Sequence, residues 1–164
     1  VYGISDFSLA RQLGISRKEA ARYIELYFMR YPGVHTYLKG CVERAKQQGA
    51  ATTLFGRRRE MPELKSSNYN TRSFGERVAM NMPIQGTAAD IIKLAMVRVH
   101  NELKARGMKS ELILQIHDEL IIDAVQEEAD AAAEILKSCM ENVVNLKVPL
   151  LAEVHTGHSW FDTK

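Results

Sequence analysis

Apolar positions recur along this chain with two periods, and the changes between them divide it into elements. Ser16-Arg17-Lys18-Glu19 has the form of a capping box, in which a serine hydroxyl and a glutamate three residues on satisfy each other's orphan backbone donors. Ala20, Ile24, Tyr27, Phe28 and Tyr31 follow at helical spacing, and Pro32 stops that helix. A second helix is predicted from about Gly33 to Gln48. Val34, Tyr37, Leu38, Cys41, Val42 and Ala45 form its stripe, and Gly49 suits the left-handed position after it. Ala51 to Met61 reads as a short hairpin, and the polar, turn-rich stretch from Pro62 to Asn70 as a loop.

Thr71 to Met82 is predicted helical, with Phe74, Val78 and Met82 on one side, and Pro83 interrupts it. Thr87 starts the next helix. Ile92, Ala95, Met96, Val99 and Leu103 line one face of it, and Gly107 ends it. The period then switches to that of a strand. Leu112-Ile113-Leu114 and Leu120-Ile121-Ile122 flank a polar tip, which predicts a hairpin over about 111–125. Glu127 to Asn145 reads as a helix with Ala132, Leu136, Cys139, Met140 and Val143 inward and acids in its first turn. Val148 to Val154 reads as a last strand. Helices and antiparallel strands are mixed without β-α-β periodicity, so the predicted class is α+β.

Composition narrows the class further. With 164 residues, 46% of them hydrophobic, the chain can bury one ordinary core or parts of two subdomains. The net charge of +2 does not by itself announce a polyanionic partner; only its local distribution could. Cys41 and Cys139 are far apart on apolar helix faces, with neither metal-ligand nor disulfide spacing, which suits a reducing compartment. No run of 18 apolar residues marks a membrane span, and no signal peptide is visible. The chain opens on Val1, mid-pattern, as a C-terminal piece of something longer would.

Gln115-Ile116-His117-Asp118-Glu119-Leu120 is the strongest chemical signal. It sets an imidazole and two neighbouring carboxylates between apolar runs. Burying such carboxylates without a cation or donors is costly, so they belong at the tip. Asp-Glu is a poor substitute for the favoured Asn-Gly or Asp-Gly turns. A solvated acidic turn and a working site both account for this pattern. Arg77, Asn81 and Gln85, four apart, would form one polar stripe if the helix runs through. Arginine suits phosphate and the amides suit base edges; an ordinary solvated helix face is the competing reading.

Gly86-Thr87 ahead of a helix has the form of a weak phosphate cradle. Arg57-Arg58-Arg59 could clamp a nucleic-acid backbone or simply face solvent. His155-Thr156-Gly157-His158 matches no common ligand spacing and reads as a surface turn; His35 and His100 read as packing or surface residues.

These stretches together resemble one family. Gln115 to Leu120 is similar to motif C of the bacterial DNA polymerase I family, family A. Asn81-x-Pro83-x-Gln85-Gly86-Thr87-Ala88-Ala89-Asp90 resembles a signature of the same family. Tyr2-Gly3-Ile4-Ser5 resembles the tail of its motif B. Thr53-Leu54-Phe55-Gly56-Arg57-Arg58-Arg59 and the closing Glu153-Val154, Gly157 and Trp160 also fit, in order and across the whole chain. The resemblance implies a helical portion of the fingers at 1–88. It implies a portion of the palm at 89–164, with a small antiparallel sheet carrying the motif C hairpin.

It also implies template-directed DNA synthesis, from dNTP to a primer 3′-OH, by a two-metal Mg2+ mechanism, in a bacterial cytoplasmic enzyme associated with the nucleoid. Asp118 then resembles the metal-binding carboxylate, Glu119 the supporting acid, and His117 the residue beside the primer 3′ end. Arg77, Asn81 and Gln85 resemble primer–template contacts, Gln115 a weaker one, and Tyr2 the aromatic residue at the insertion site. The implied partners are primer–template DNA, dNTP and the missing N-terminal portion of the same polymerase.

The family's motif A pattern, Asp-Tyr-Ser-x-Ile-Glu, does not occur in the sequence. The resemblance therefore implies that the chain supplies half of the metal site and is inactive alone. Three alternatives stay open: a palm like that of single-subunit RNA polymerases, a non-catalytic DNA-binding module, and a metal-dependent hydrolase built on His117, Asp118 and Glu119.

Overall fold

The computed structural model describes residues 3–163, so Tyr2 lies outside the described residues. The chain divides into two compact units, Val1–Thr87 and Ala88–Lys164.

The first unit opens with α1 (Asp6–Leu13), which the apolar pattern did not foresee. Ser5 caps it by accepting the Ser8 N–H at 3.1 Å, and Gly14 ends it at φ 65°. The capping box of α2 (Arg17–Arg30) forms as the sequence predicts, with both reciprocal hydrogen bonds present. Helix α3 (Pro32–Gln48) buries Leu38, Cys41, Val42 and Ala45, and Gly49 takes φ 69° after it. Strands β1 (Ala50–Thr52) and β2 (Arg58–Glu60) pair antiparallel, followed by a 3₁₀ turn at Pro62–Lys65 inside the predicted loop.

Helix α4 (Tyr69–Asn81) starts earlier than expected because Asn68 caps it, accepting the Asn70 and Thr71 N–H groups. Its buried line is Gly75 and Ala79. Phe74, expected inward, is 47% exposed. A Cβ on Gly75 would lie 2.9 Å from the Glu63 Cβ and 3.2 Å from the Leu64 backbone N, so the missing side chain lets α4 seat against the 3₁₀ turn. Val42, Ala45, Ala51, Met61, Leu64 and Ala79 form the core of this unit.

Pro83 does not interrupt the helical backbone. Met82–Gly86 forms a π-helical turn and α5 (Thr87–Ala105) follows directly. Proline lacks an N–H and crowds the preceding turn; a wider turn relieves both problems without unwinding.

In the second unit α5 packs through Ala95, Val99 and Leu103 against Leu120 and against Ala132, Ile135 and Cys139 of α6 (Ala129–Glu141). Strands β3 (Glu111–Ile116) and β4 (Glu119–Asp123) form the antiparallel hairpin. The register skips Ile113, so Leu112 opposes Ile122 while Leu114 opposes Ile121. This bulge re-phases β3: Leu112 and Ile122 face the core, and Leu114 (44% exposed) turns outward.

Helix α6 is shorter than the predicted 127–145. A 3₁₀ turn occupies Gln126–Glu128. At the other end Asn142 closes the helix by directing both its backbone N–H and its side-chain Nδ2 onto the Ser138 carbonyl. The predicted strand Val148–Val154 is irregular instead. No ladder partner lies along it among the described residues, and Ala152 N–H is held by the Glu141 carboxylate at 3.1 Å. Among the described residues no helix is long and apolar enough to cross a membrane.

Candidate functional site

The hairpin tip is a two-residue turn made of His117 and Asp118, because Ile116 pairs with Glu119. Glu119 is therefore the first residue of β4 rather than half of an Asp-Glu turn. Among the described residues His117 alone, apart from glycines, has a positive φ, at 52°. Tight hairpin turns favour glycine in that conformation, and an imidazole-bearing residue there is uncommon. Gln115 compensates: its Nε2 donates to the His117 carbonyl at 2.6 Å. The amide of Gln115 is thus committed to the turn. His117, Asp118 and Glu119 are all exposed, and the Asp118 carboxylate has no hydrogen-bond or ion-pair partner among the described residues.

The base of the same hairpin carries a carboxylate that sequence reading missed. Glu128 accepts hydrogen bonds from the backbone N–H of Lys109 and Ser110 and from the Ser110 hydroxyl, at 2.6–3.1 Å. Ser110, only 2% exposed, in turn accepts the Val125 N–H at 3.1 Å. Both ends of the hairpin are thereby tied to one point. The Ser110 hydroxyl first, then the Lys109 and Ser110 N–H groups, hold the Glu128 carboxyl below the usual glutamate range. Its partners lie 18 and 19 residues away, so no local motif marks it.

The polar stripe belongs to the first unit. Arg77 and Gln85 are exposed, and Arg77 Nη1 donates to Ser73 Oγ at 3.1 Å. The Asn81 Oδ1 is buried without a hydrogen-bond partner. Four residues make just over one α-turn, so Arg77 and Asn81 nearly align. From Asn81 to Gln85 the wider π-turn brings four residues to just under one turn, which keeps Gln85 close to the same line. Gly3, at φ 84°, comes up against this stripe. A Cβ there would lie 2.8 Å from Met80 Cε and 3.2 Å from Arg77 Cγ.

The arginine loop docks on the π-turn. Thr53 organises it: its N–H donates to the Arg57 carbonyl at 2.9 Å and its hydroxyl accepts the Arg57 N–H at 3.0 Å. Leu54 N–H donates to Thr87 Oγ1 at 2.9 Å, and the same hydroxyl donates to the Pro83 carbonyl. Arg58 turns back onto Glu60 (2.7 Å) and the Gln48 carbonyl (3.2 Å), while Arg57 and Arg59 are exposed.

Other candidates resolve simply. His35 stacks on Phe28 with ring centroids 4.5 Å apart; His100 is exposed. His155 and His158 lie exposed in irregular chain, and Cys41 and Cys139 are buried free thiols. Among the described residues no three His, Cys, Asp or Glu side chains gather as a metal site.

The small net charge conceals a division. Residues 1–87 hold 14 Lys and Arg against 7 Asp and Glu, a formal +7. Residues 88–164 hold 8 against 13, a formal −5.

DNA polymerase I of Caldicellulosiruptor bescii is 55% identical over all 164 residues, and that of Geobacillus stearothermophilus 50%. In both cases the chain spans 19% of the relative's length. A solved polymerase domain of Pol1 from M. smegmatis, in complex with DNA primer–template and dNTP, superposes with a TM-score of 0.94. It is 44% identical over 99% of this chain and 29% of that one. The sequence also matches the profile of DNA polymerase family A over residues 1–162, and the chain belongs to that family.

Proposed function

We propose that this chain is part of an enzyme for template-directed DNA synthesis. In this reading residues 1–88 form the later part of the fingers and 89–164 the distal palm. The observation that carries it is the exposed, unpartnered Asp118 carboxylate on a turn stabilised by Gln115 and tied at its base by Glu128. A rigid element that offers a free carboxylate to solvent is what cation binding requires.

The donor chemistry suits Mg2+, which takes hard oxygen ligands and keeps several waters. Asp118 would be the ligand and Glu119 its supporting acid. Bound divalent ions supply activation of the primer 3′-OH and charge stabilisation at the leaving pyrophosphate. In this reading the other ligands come from the motif A segment of a longer polymerase, a pattern this sequence does not contain. His117 stands beside the primer end. Arg77 neutralises backbone phosphate, and Asn81 and Gln85 donate to minor-groove acceptors, which look alike for A·T and T·A pairs. Such contacts test the shape of a base pair without reading sequence. The arginine loop adds electrostatic attraction to the backbone, in keeping with the +7 of its unit. Gln115 and Tyr2 complete the assignment, as a neighbouring contact and as the aromatic residue at the insertion site.

Primer extension tests the reading. The isolated chain, given Mg2+, dNTP and primer–template, is expected to extend nothing, while the intact polymerase extends. Robust templated extension by the 164 residues alone would overturn the half-site assignment.

A further inference from the structure

We propose that Thr87 is a positioning residue: its hydroxyl joins the arginine loop to the π-turn, so that both meet nucleic acid as one surface. The inference rests on the DNA-binding assignment above. Read from sequence, Thr87 is a helix start. In the structure α5 follows a π-turn directly, so Thr87 has no free helix end to cap. Its hydroxyl spends its one proton on the Pro83 carbonyl, inside the π-turn, and uses a lone pair for Leu54 N–H in the loop 33 residues away. A single oxygen thus stabilises the irregular turn and holds the loop against it.

The opposing surfaces fit closely at the adjacent residue. A Cβ on Gly86 would lie 2.7 Å from the Thr53 methyl and 2.6 Å from Met82 Sδ, so only glycine admits this approach. Thr53, 6% exposed, then governs Arg57 through two hydrogen bonds. The path Pro83–Thr87–Leu54–Thr53–Arg57 is short and made of direct contacts. It fixes where Arg57 and Arg59 stand relative to Gln85, two residues before Thr87. Without the hydroxyl the loop loses its tether, and phosphate contacts would form only after the loop is reordered at the time of binding.

The test compares Thr87→Val, which keeps the shape and removes the hydroxyl, with Thr87→Ser, which keeps the hydroxyl, in the intact polymerase. Primer–template binding is measured by fluorescence anisotropy across a salt series, alongside single-turnover extension at saturating DNA. Thr87→Val is expected to weaken binding about tenfold. It should also flatten the plot of log affinity against log salt by about one unit, the loss of roughly one phosphate contact. Its extension rate at saturation should fall less than about threefold, and Thr87→Ser should restore both affinity and slope. Gly86→Ala probes the same junction without touching the hydroxyl and should shift binding in the same direction.

Wild-type binding by Thr87→Val would overturn the inference, as would equal losses in the Val and Ser variants or weaker binding at unchanged salt slope. Arg77→Ala and Gln85→Ala serve as references. If they too bind as wild type, the underlying DNA-binding assignment falls with it. If they weaken and Thr87→Val does not, the inference falls alone.

Discussion

The two units of this chain present their functional groups by opposite means. The first, at +7, sets guanidinium and amide groups on a helix and a docked loop, where donors can meet an extended anion. The second, at −5, sets one carboxylate at the point of a two-residue turn, where it can meet a small cation. A polyanion is held by many contacts of modest strength, and a divalent ion by few ligands in strict geometry. The supporting structure differs to match. The donor surface is spread over α4, the π-turn and the loop. The acidic tip depends on two local devices, the Gln115 bond above and the Glu128 tie below. Averaging the units into +2 hides both.

Loss of the tip carboxylate should have the largest effect. In the intact polymerase Asp118→Ala is expected to abolish single-turnover extension while primer–template affinity stays within a few-fold. Activity surviving within about tenfold, about 1.4 kcal/mol of barrier, would mean that Asp118 is not the metal ligand.

Stability comes next. Leu103→Ala truncates a side chain that is 3% exposed in the core of the second unit and should cost about 2–5 kcal/mol in urea unfolding. A cost under about 1 kcal/mol would show that this core does not hold the hairpin's platform.

The donor surface should respond more gently. Arg77→Ala is expected to reduce primer–template affinity and to lower the salt slope by about one. An unchanged slope would remove Arg77 from the phosphate contacts.

At the turn, His117→Gly should relieve a conformation that disfavours side chains, raising the thermal midpoint slightly while turnover falls. A variant that is both less stable and equally active would contradict the picture of a turn strained for function.

The smallest effect concerns acid. The folded state holds the Glu128 carboxyl below its ordinary value, so its contribution is fully present above the unfolded glutamate pKa of about 4.3. It is lost as the pH falls further, through the lowered folded value. Glu128→Gln should therefore lower the urea midpoint at pH 6, and the difference from wild type should shrink as the pH falls below the ordinary glutamate range. A constant difference at every pH would mean that ionisation of Glu128 plays no part.

Helical stripes were legible on α3 and α5, although Tyr37, placed in the α3 stripe, is 47% exposed. Leu38, Cys41, Val42 and Ala45 on α3, and Ala95, Val99 and Leu103 on α5, are buried as their spacing predicts. Phe74 was misread because a helix seated on Gly75 and Ala79 buries its smallest residues, and small residues give little periodic signal. Val148–Val154 has a strand's composition, but a strand exists only beside another backbone. The tip was legible because its charges break an apolar run. Its register was not, since pairing Ile116 with Glu119 depends on the bulge at Ile113.

What the sequence determined by itself is the inventory and its order: the capped helices, the hairpin with an acid at its tip, and the family to which collinear motifs point. These follow from interactions among residues a few positions apart, and short-range patterns record them. Only the tertiary structure decided that Pro83 is absorbed in a π-turn, that Thr87 reaches Leu54, and that Glu128 ties the base of the hairpin. Each of these depends on partners 18 or more residues apart, or on a backbone free to widen rather than break. Their energies belong to the folded chain and leave no period in the sequence.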